Sequence, residues 1–314
     1  MRALINIPHD TNFHFIERRR MALVVSAVLL LVSVVAYGVR GLNYGIDFAG
    51  GILLEVKTEG PADLGALRDT VDGLNLGDVT LQTFGAPDIV LLRVKRQAGG
   101  KEAQAQAIRD IKAALPDNVT YRRTEYVGPV VGEELIQAGV TAVVLAMLAI
   151  MVYIWFRFEW QFGLGAVVAL VHDVITTVGL FALLQMQFNL STVAAILTIA
   201  GYSINDTVVV YDRVREDLRR YKTTPLKDVF NMAINHVLGR TVMTSVTTLL
   251  ALLALYFFGG EVIEPFTIAM IWGVIVGTYS SSFVAVPFLL YLNFQRGSMQ
   301  GDTDADEATQ NAGA

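Results

Sequence analysis

Four side chains interrupt long apolar stretches of this chain: His172, Asp173, Asp206 and Arg240. A charge surrounded by some 20 apolar residues is costly in hydrocarbon, so its presence points to function by default. Asp206 lies about six residues inside its stretch, roughly 9 Å deep at 1.5 Å per residue. Arg240 enters the next stretch from the same side, at a depth that lets the two pair if their helices are neighbours. Burial and an arginine neighbour favour opposite protonation states of a carboxylate. A small movement can therefore tip the balance, and protonation becomes a switch. Tyr202 and Ser203 share the helix face of Asp206, with Asn205 adjacent to it. Thr241, Thr244, Ser245 and Thr248 recur at helical spacing beside Arg240, with Thr247 next to them. Such hydroxyls can order a file of water, or simply bond back to their own helix. Asp173 sits near the middle of another stretch with Thr176 and Thr177 one turn on. His172 is about 100° away around that helix and is expected to face elsewhere. Either is a relay group or a packing contact.

The composition narrows the chemistry further. The chain has 314 residues, 54% hydrophobic and 17% charged, with mean hydropathy +0.50. A soluble domain carries about a quarter charged residues, so a single water-soluble core is excluded. No cysteine is present, which removes disulfides, thiolate metal sites and cysteine nucleophiles. Four scattered histidines make no metal site, and no cofactor is expected. No phosphate-binding or dinucleotide glycine fingerprint appears, so the work is not driven by nucleotide hydrolysis in this chain. A net charge of −5 argues against a nucleic-acid binder. The chain is not expected to be an enzyme.

The elements that hold these groups are six spans of roughly 20 residues: 21–39, 135–156, 162–184, 190–211, 237–258 and 266–292. Arg18, Arg19 and Arg20 precede the first span. Arg157 follows the second, and Arg213, Arg215, Arg219, Arg220, Lys222 and Lys227 fill the 212–236 loop. The loops on the opposite side, 185–189 and 259–265, have no Lys or Arg. The positive-inside rule therefore puts the N-terminal tail 1–20, the 212–236 loop and the C-terminal tail 293–314 in the cytoplasm. The first apolar run is too long, and too far from the N-terminus, for a cleaved signal peptide. The last tail is acidic, polar and expected to be disordered. Gly273, Gly277, Ser281 and Ala285, every fourth residue of the sixth span, read as a close-packing stripe.

Residues 40–134 have soluble composition and belong on the far side of the membrane. Strands are expected at 52–58, 78–84, 88–96 and 118–126, and helices at 62–74 and 101–115, with a turn at Gly85-Ala86-Pro87. That β-α-β-β-α-β order is ferredoxin-like. The fold class is thus an α-helical membrane protein of six spans with a small α+β domain between the first two.

Six strings carry a resemblance: Gly45-Ile-Asp-Phe-Ala-Gly-Gly51, Val127-Gly-Pro-Val-Val-Gly-Glu-Glu-Leu135, Phe156-Arg-Phe-Glu-Trp160 with Ala169-Leu-Val-His-Asp173, Gly201-Tyr-Ser-Ile-Asn-Asp-Thr207 running into Tyr211-Asp-Arg-Val-Arg215, Gly239-Arg-Thr-Val-Met-Thr-Ser245, and Gly277-Thr-Tyr-Ser-Ser-Ser282. In this order, over residues 13–293, the chain resembles the SecF family of bacterial protein-export membrane proteins. The resemblance implies a half-unit of the resistance–nodulation–division type that pairs with SecD. It further implies association with the SecYEG channel and YajC, and indirectly with the ATPase SecA. Preprotein would be the substrate, the proton gradient the energy source, and the bacterial inner membrane the location. It implicates Asp206 and Arg240 in proton passage, although some relatives use sodium. The SecD half is not in this chain.

One charge crossing 100 mV is worth about 2.3 kcal/mol, enough to bias a two-state movement about 50-fold. Movement at Asp206 would reach the α+β domain through the first two spans. Gly45, Gly50, Gly51, Gly128 and Pro129 would be the joints, with Gly201, Gly273 and Gly277 as structural small residues. The rival readings are an exporter of small molecules or lipids, which needs a larger external domain, and an inert scaffold for SecD. An intramembrane aspartyl protease built on Asp173 and Asp206 lacks the Gly-x-Gly-Asp string of that chemistry.

Overall fold

In chain order the elements are α1 (Arg19–Arg40), β1 (Asn43–Tyr44), α2 (Ile46–Ala49), β2 (Gly51–Lys57), α3 (Leu64–Asp72), β3 (Val79–Phe84), β4 (Ala86–Lys95), α4 (Gly100–Ala114), β5 (Thr120–Val127), α5 (Pro129–Arg157), α6 (Trp160–Leu184), β6 (Gln187–Phe188), α7 (Leu190–Arg220), α8 (Leu226–Phe258) and α9 (Glu264–Ser280). A π segment, Ser281–Ala285, continues α9 into α10 (Val286–Leu289) and a final 3-10 turn. This is a computed structural model, and it describes residues 11–292 apart from 78, 117, 261 and 262. The expected tail 293–314 and the first ten residues of the N-terminal tail lie outside the described residues.

Among the described residues, six helical stretches are long and apolar enough to cross a membrane. They form an inner and an outer set. The most apolar windows of α6, α7 and α9 onward are 50%, 50% and 67% buried, against 22%, 6% and 17% for α1, α5 and α8. Glycines set the close approaches. A Cβ on Gly273 would collide with Ile199, one on Gly165 with the Tyr211 hydroxyl, and one on Gly179 with Ser33. Gly277 backs onto Ser203, so half of the predicted small-residue stripe does pack α9 against α7.

The predicted 212–236 loop is a correction. α7 continues to Arg220 and α8 starts at Leu226, leaving five residues between them. Hydropathy missed these turns because they are held by other means. Arg213 pairs with Glu216 (2.7 Å) and Asp217 (3.3 Å), and His236 Nδ1 meets Asp217 Oδ2 at 2.9 Å. Val214, Leu218, Val229, Phe230 and Ile234 are buried in a core beyond the apolar windows. Residues 11–15 dock there too. Asn235 and Asn231, one turn apart, accept the backbone N–H groups of Phe13 and Phe15 (both 2.8 Å). Similarly, α5 begins at Pro129 rather than 135, because Gly128 and Pro129 supply a helix start ahead of the apolar run.

The α+β domain is one antiparallel sheet of order β3-β4-β2-β5. Register pairs Ile52 with Val94, Leu54 with Leu92 and Val56 with Val90. These six side chains are at most 1% exposed and meet Leu67 and Val71 of α3 and Ala107 and Ile111 of α4. α3 starts at Leu64, not 62, because Asp63 caps it, accepting from Gly65 N (2.9 Å) and Ala66 N (3.1 Å). β4 starts at Ala86, so Gly85 alone (φ 71°) turns the hairpin.

The join between domain and spans is tighter than a loose glycine run. β1 pairs in parallel with β6, and Gly45 N donates to Phe188 O (2.8 Å). Asp47 Oδ2 accepts from Leu190 N (3.0 Å), placing a carboxylate at the α7 N-terminus. α2 packs on α5, where any Cβ on Gly132 would strike Phe48 O. Gly51 has φ 142°, and a Cβ there would lie 2.6 Å from Val94 O, so its glycine is sterically required. Gly45 is thus clamped, while Gly50–Gly51 and Gly128–Pro129 mark the entries to β2 and α5.

Candidate functional site

Among the described residues, two carboxylates are buried within the apolar spans of the inner helices. Asp173 on α6 is 0% exposed and Asp206 on α7 is 8% exposed. One hydroxyl partner of each comes from a single helix, the α9–π junction. Ser280 Oγ donates to Asp173 Oδ2 (2.7 Å) and Ser281 Oγ to Asp206 Oδ2 (2.5 Å). Consecutive residues thereby reach two carboxylates on two other helices. The π segment begins at Ser281, which is where such single-turn distortions are often used.

The remaining partners complete each carboxylate. Asp173 Oδ2 also accepts from Ser203 Oγ (2.6 Å), and Asp173 Oδ1 hydrogen-bonds His172 Nδ1 (3.0 Å). Asp206 Oδ1 accepts from Thr241 Oγ1 (2.8 Å). Thr176 and Thr177 donate instead to the Asp173 carbonyl (3.1 and 2.7 Å). Each serine also lies near a carbonyl of its own helix: Ser280 Oγ is 3.2 Å from Gly277 O and Ser281 Oγ 3.0 Å from Thr278 O. Each hydroxyl has one proton. It can serve the carboxylate when that is ionised, or the carbonyl when the acid carries its own proton and donates to the serine oxygen. Protonation therefore redirects hydrogen bonds along α9 without leaving a group unpaired.

Three sequence expectations change here. His172 does not face away from Asp173: side-chain length closes the 100° gap, although its Nε2 has no partner among the described residues. Ser203 serves Asp173 rather than Asp206. Arg240 makes no ion pair with Asp206 among the described residues. Its side chain is exposed, and the neighbouring Thr241 makes the contact instead. Depth alone fixes proximity but not rotation about the helix, and Thr241 points inward where Arg240 does not.

The hydroxyls of α8 divide. Thr241 faces α7 through Asp206, and Ser245 faces α9, its Oγ lying 2.6 Å from Thr278 Oγ1. Thr244, Thr247 and Thr248 bond back to their own helix. Asn205 and Gly201 are exposed on α7, and a Cβ on Gly201 would meet nothing. Ser280 and Ser281 were missed from the sequence. The every-fourth-residue pattern places Ser281 in the packing stripe, and the signal that singles these residues out is three successive serines, Ser280–Ser282.

Six spans wrapped around a cluster of buried acids and hydroxyls define the class: a multi-pass membrane protein with a polar hub inside its bundle. Residues 107–295 match the family model for the C-terminal part of the protein export membrane protein SecD/SecF, and residues 38–62 match the SecD/SecF GG motif. The chain is 49% identical over 288 residues to the protein translocase subunit SecF of Magnetococcus marinus, covering 90% of this chain and 93% of that one. It is 45% identical over 287 residues to SecF of Rickettsia felis, covering 90% and 92%. The crystal structure of SecDF, a translocon-associated membrane protein from Thermus thermophilus, superposes with a TM-score of 0.79 at 33% identity. That match covers 92% of this chain and 40% of SecDF, so the chain spans well under half of that protein. The chain belongs to the SecF family of protein translocase subunits.

Proposed function

We propose that this chain is the SecF subunit of a bacterial Sec translocase. With SecD it would use the proton-motive force to promote late preprotein translocation across the inner membrane. SecYEG, YajC and, indirectly, SecA would be its further partners. The observation that carries the reading is the pair of acids, Asp173 and Asp206, joined through Ser280 and Ser281 of one helix. Asp206 and Arg240 are the coupling pair. His172, Asp173, Ser203 and Thr241 extend the polar path on one side, and Asn205 and Thr244 open it on the other.

The SecD pairing rests on an exposed face that lipid would tolerate poorly. Arg240, Thr244 and Thr247 of α8, and Thr198, Gly201 and Asn205 of α7, are all exposed at span depth. A guanidinium and small polar residues there call for a covering helix bundle. The proposed orientation follows the Lys and Arg distribution, with both termini and the α7–α8 connection cytoplasmic and residues 40–134 periplasmic. The strand order β3-β4-β2-β5 supports the ferredoxin-like reading of that domain. Because Asp47 ties α2 to α7, a shift of α7 passes directly to the domain base, with Gly50–Gly51 and Gly128–Pro129 as the joints.

The test is export into inverted vesicles carrying this chain and its partner, wild type against Asp206→Asn, with and without a proton gradient at saturating ATP. The expected result is loss of the gradient-dependent increment while the complex still assembles. An increment of wild-type size would reduce the chain to a scaffold for SecD.

A further inference from the structure

At the end of the bundle that carries the α+β domain, α1 and α5 both pack on α6 but not extensively on each other among the described residues. The gap between them is an apolar cavity of about 280 Å³. Val174 and Val178 of α6 form its floor, and Val140 and Val144 of α5 form one wall. Phe48 and Phe188, the aromatic pair of the α2–β6 join, close it toward the α+β domain, with ring centroids 6.0 Å apart. The side facing the bilayer is open: Val140 is 60% exposed and Val144 49%.

The rim is polar where the floor is not. Tyr37 and Tyr44 line the mouth. Arg40 ends α1 one turn after Tyr37, with its guanidinium exposed. Arg40 Nη1 donates to Leu183 O (2.7 Å), which fixes the group in place, and among the described residues its other N–H groups have no protein partner. Guanidinium forks suit phosphate oxygens. The cavity holds too few polar groups for ordered water, and at about 280 Å³ it falls just below the usual range of ligand cavities, about 300–1,000 Å³. It therefore admits one hydrocarbon chain rather than a whole lipid.

We propose that this groove is a binding site for a glycerophospholipid, one acyl chain lying between α1 and α5 and the phosphate on Arg40. The lipid is a structural ligand of the domain join: the first carbons of its chain lie against Phe48 and Phe188, the residues that seat α2 on the spans, and the chain runs on toward Val140 and Val144. The site is separate from the carboxylate cluster, so it stands or falls independently of proton coupling.

The experiment places the full chain with its partner in bilayers doped with phosphatidylglycerol bearing a diazirine at mid-chain, followed by irradiation and peptide mapping. Label is expected to concentrate on the α5 segment around Val140 and Val144 over the lipid-facing control position Val152 of the same helix. Val140→Trp should displace the label from the groove, while Val152→Trp should leave it there. Arg40→Gln should lower groove labelling by about tenfold, the scale of one charge-assisted hydrogen bond, and should leave labelling by the matching diacylglycerol, which lacks phosphate, unchanged. Retained partner binding in each variant shows that the complex is intact. Equal label at Val152, label transferred to a partner polypeptide from the groove, or indifference to Arg40→Gln would each overturn the assignment.

Discussion

The α+β domain buries an apolar core, whereas the helix bundle buries acids and hydroxyls alongside its apolar side chains. In the domain, Ile52, Leu54, Val90 and Leu92 are at 0% exposure, while the Lys57–Asp88 pair (3.4 Å) stays at the surface. In the bundle, Asp173, Thr177, Ser280 and Ser281 are at 0% exposure, while Leu31, Leu145, Phe156 and Phe258 face outward. Each follows from its solvent. Water drives apolar side chains inward in the domain. Lipid exerts no such drive between helices, so packing of small residues and interhelical hydrogen bonds hold the bundle. The same loss of one partner therefore has different consequences in the two regions.

The sharpest challenge to this contrast is an apolar side chain placed in the polar core. Asp173→Leu strips the partner from Ser203, Ser280 and His172 at once, each costing about 1–3 kcal/mol when left unpaired. The expected result is a loss of about 4–5 kcal/mol, seen as a collapse in the yield of folded chain and in the melting temperature of what survives. A near-normal melting temperature would mean that the bundle does not depend on its polar interior. Next, Ile52→Ala should destabilise the domain by about 2–5 kcal/mol. Hydrogen exchange in the complex should rise across residues 51–127 and stay unchanged in α6 and α7; a rise shared by both would show that the two regions unfold together.

Ser281→Ala removes one of two hydroxyls on Asp206, a local cost of about 1–3 kcal/mol. Thr241 remains in place, so the melting temperature should move less than for Asp173→Leu while gradient-driven export falls. Equal loss of stability in the two variants would erase the distinction between them. The smallest effect is expected from Asp63→Ala. It removes the cap of α3 for about 1 kcal/mol, visible as faster exchange of the Gly65 and Ala66 amides with no change in export.

What could be read from the sequence follows the same division. The spans announce themselves because lipid demands long apolar runs, but hydropathy is blind where a helix leaves the bilayer. That is why Asp212–Arg220 and Leu226–His236 read as loop although ion pairs and a second core keep them helical. In the domain, the alternation of Ile52, Leu54 and Val56 gave β2, and only cap chemistry at Asp63 corrected the start of α3. For the site, charge in an apolar run exposes Asp173, Asp206 and Arg240. It does not give rotation about the helix axis, which is what replaces Arg240 by Thr241 at the carboxylate. Serine carries no such signal, since in an apolar helix it usually bonds to its own backbone. Ser280 and Ser281 are near carbonyls of their own helix and still meet the acids, a dual role that only coordinates reveal.

The π segment that starts at Ser281 has a bearing on how this helix can change in length. Such a segment is what a single extra residue does to an α-helix. Upstream of it, Gly273 and Gly277 keep step with α7; downstream, Ala285 accepts the Tyr211 hydroxyl through its carbonyl (3.1 Å). The two halves of the sixth span are thus indexed separately, and the join absorbs the mismatch at the level of the carboxylates. Deleting one residue between 281 and 285 would merge the halves into one frame and turn one set of contacts by about 100°. A one-residue deletion there is a far larger perturbation than any substitution at the same positions, whereas insertions in the short α7–α8 connection, five residues at the rim of the bundle, leave both frames intact.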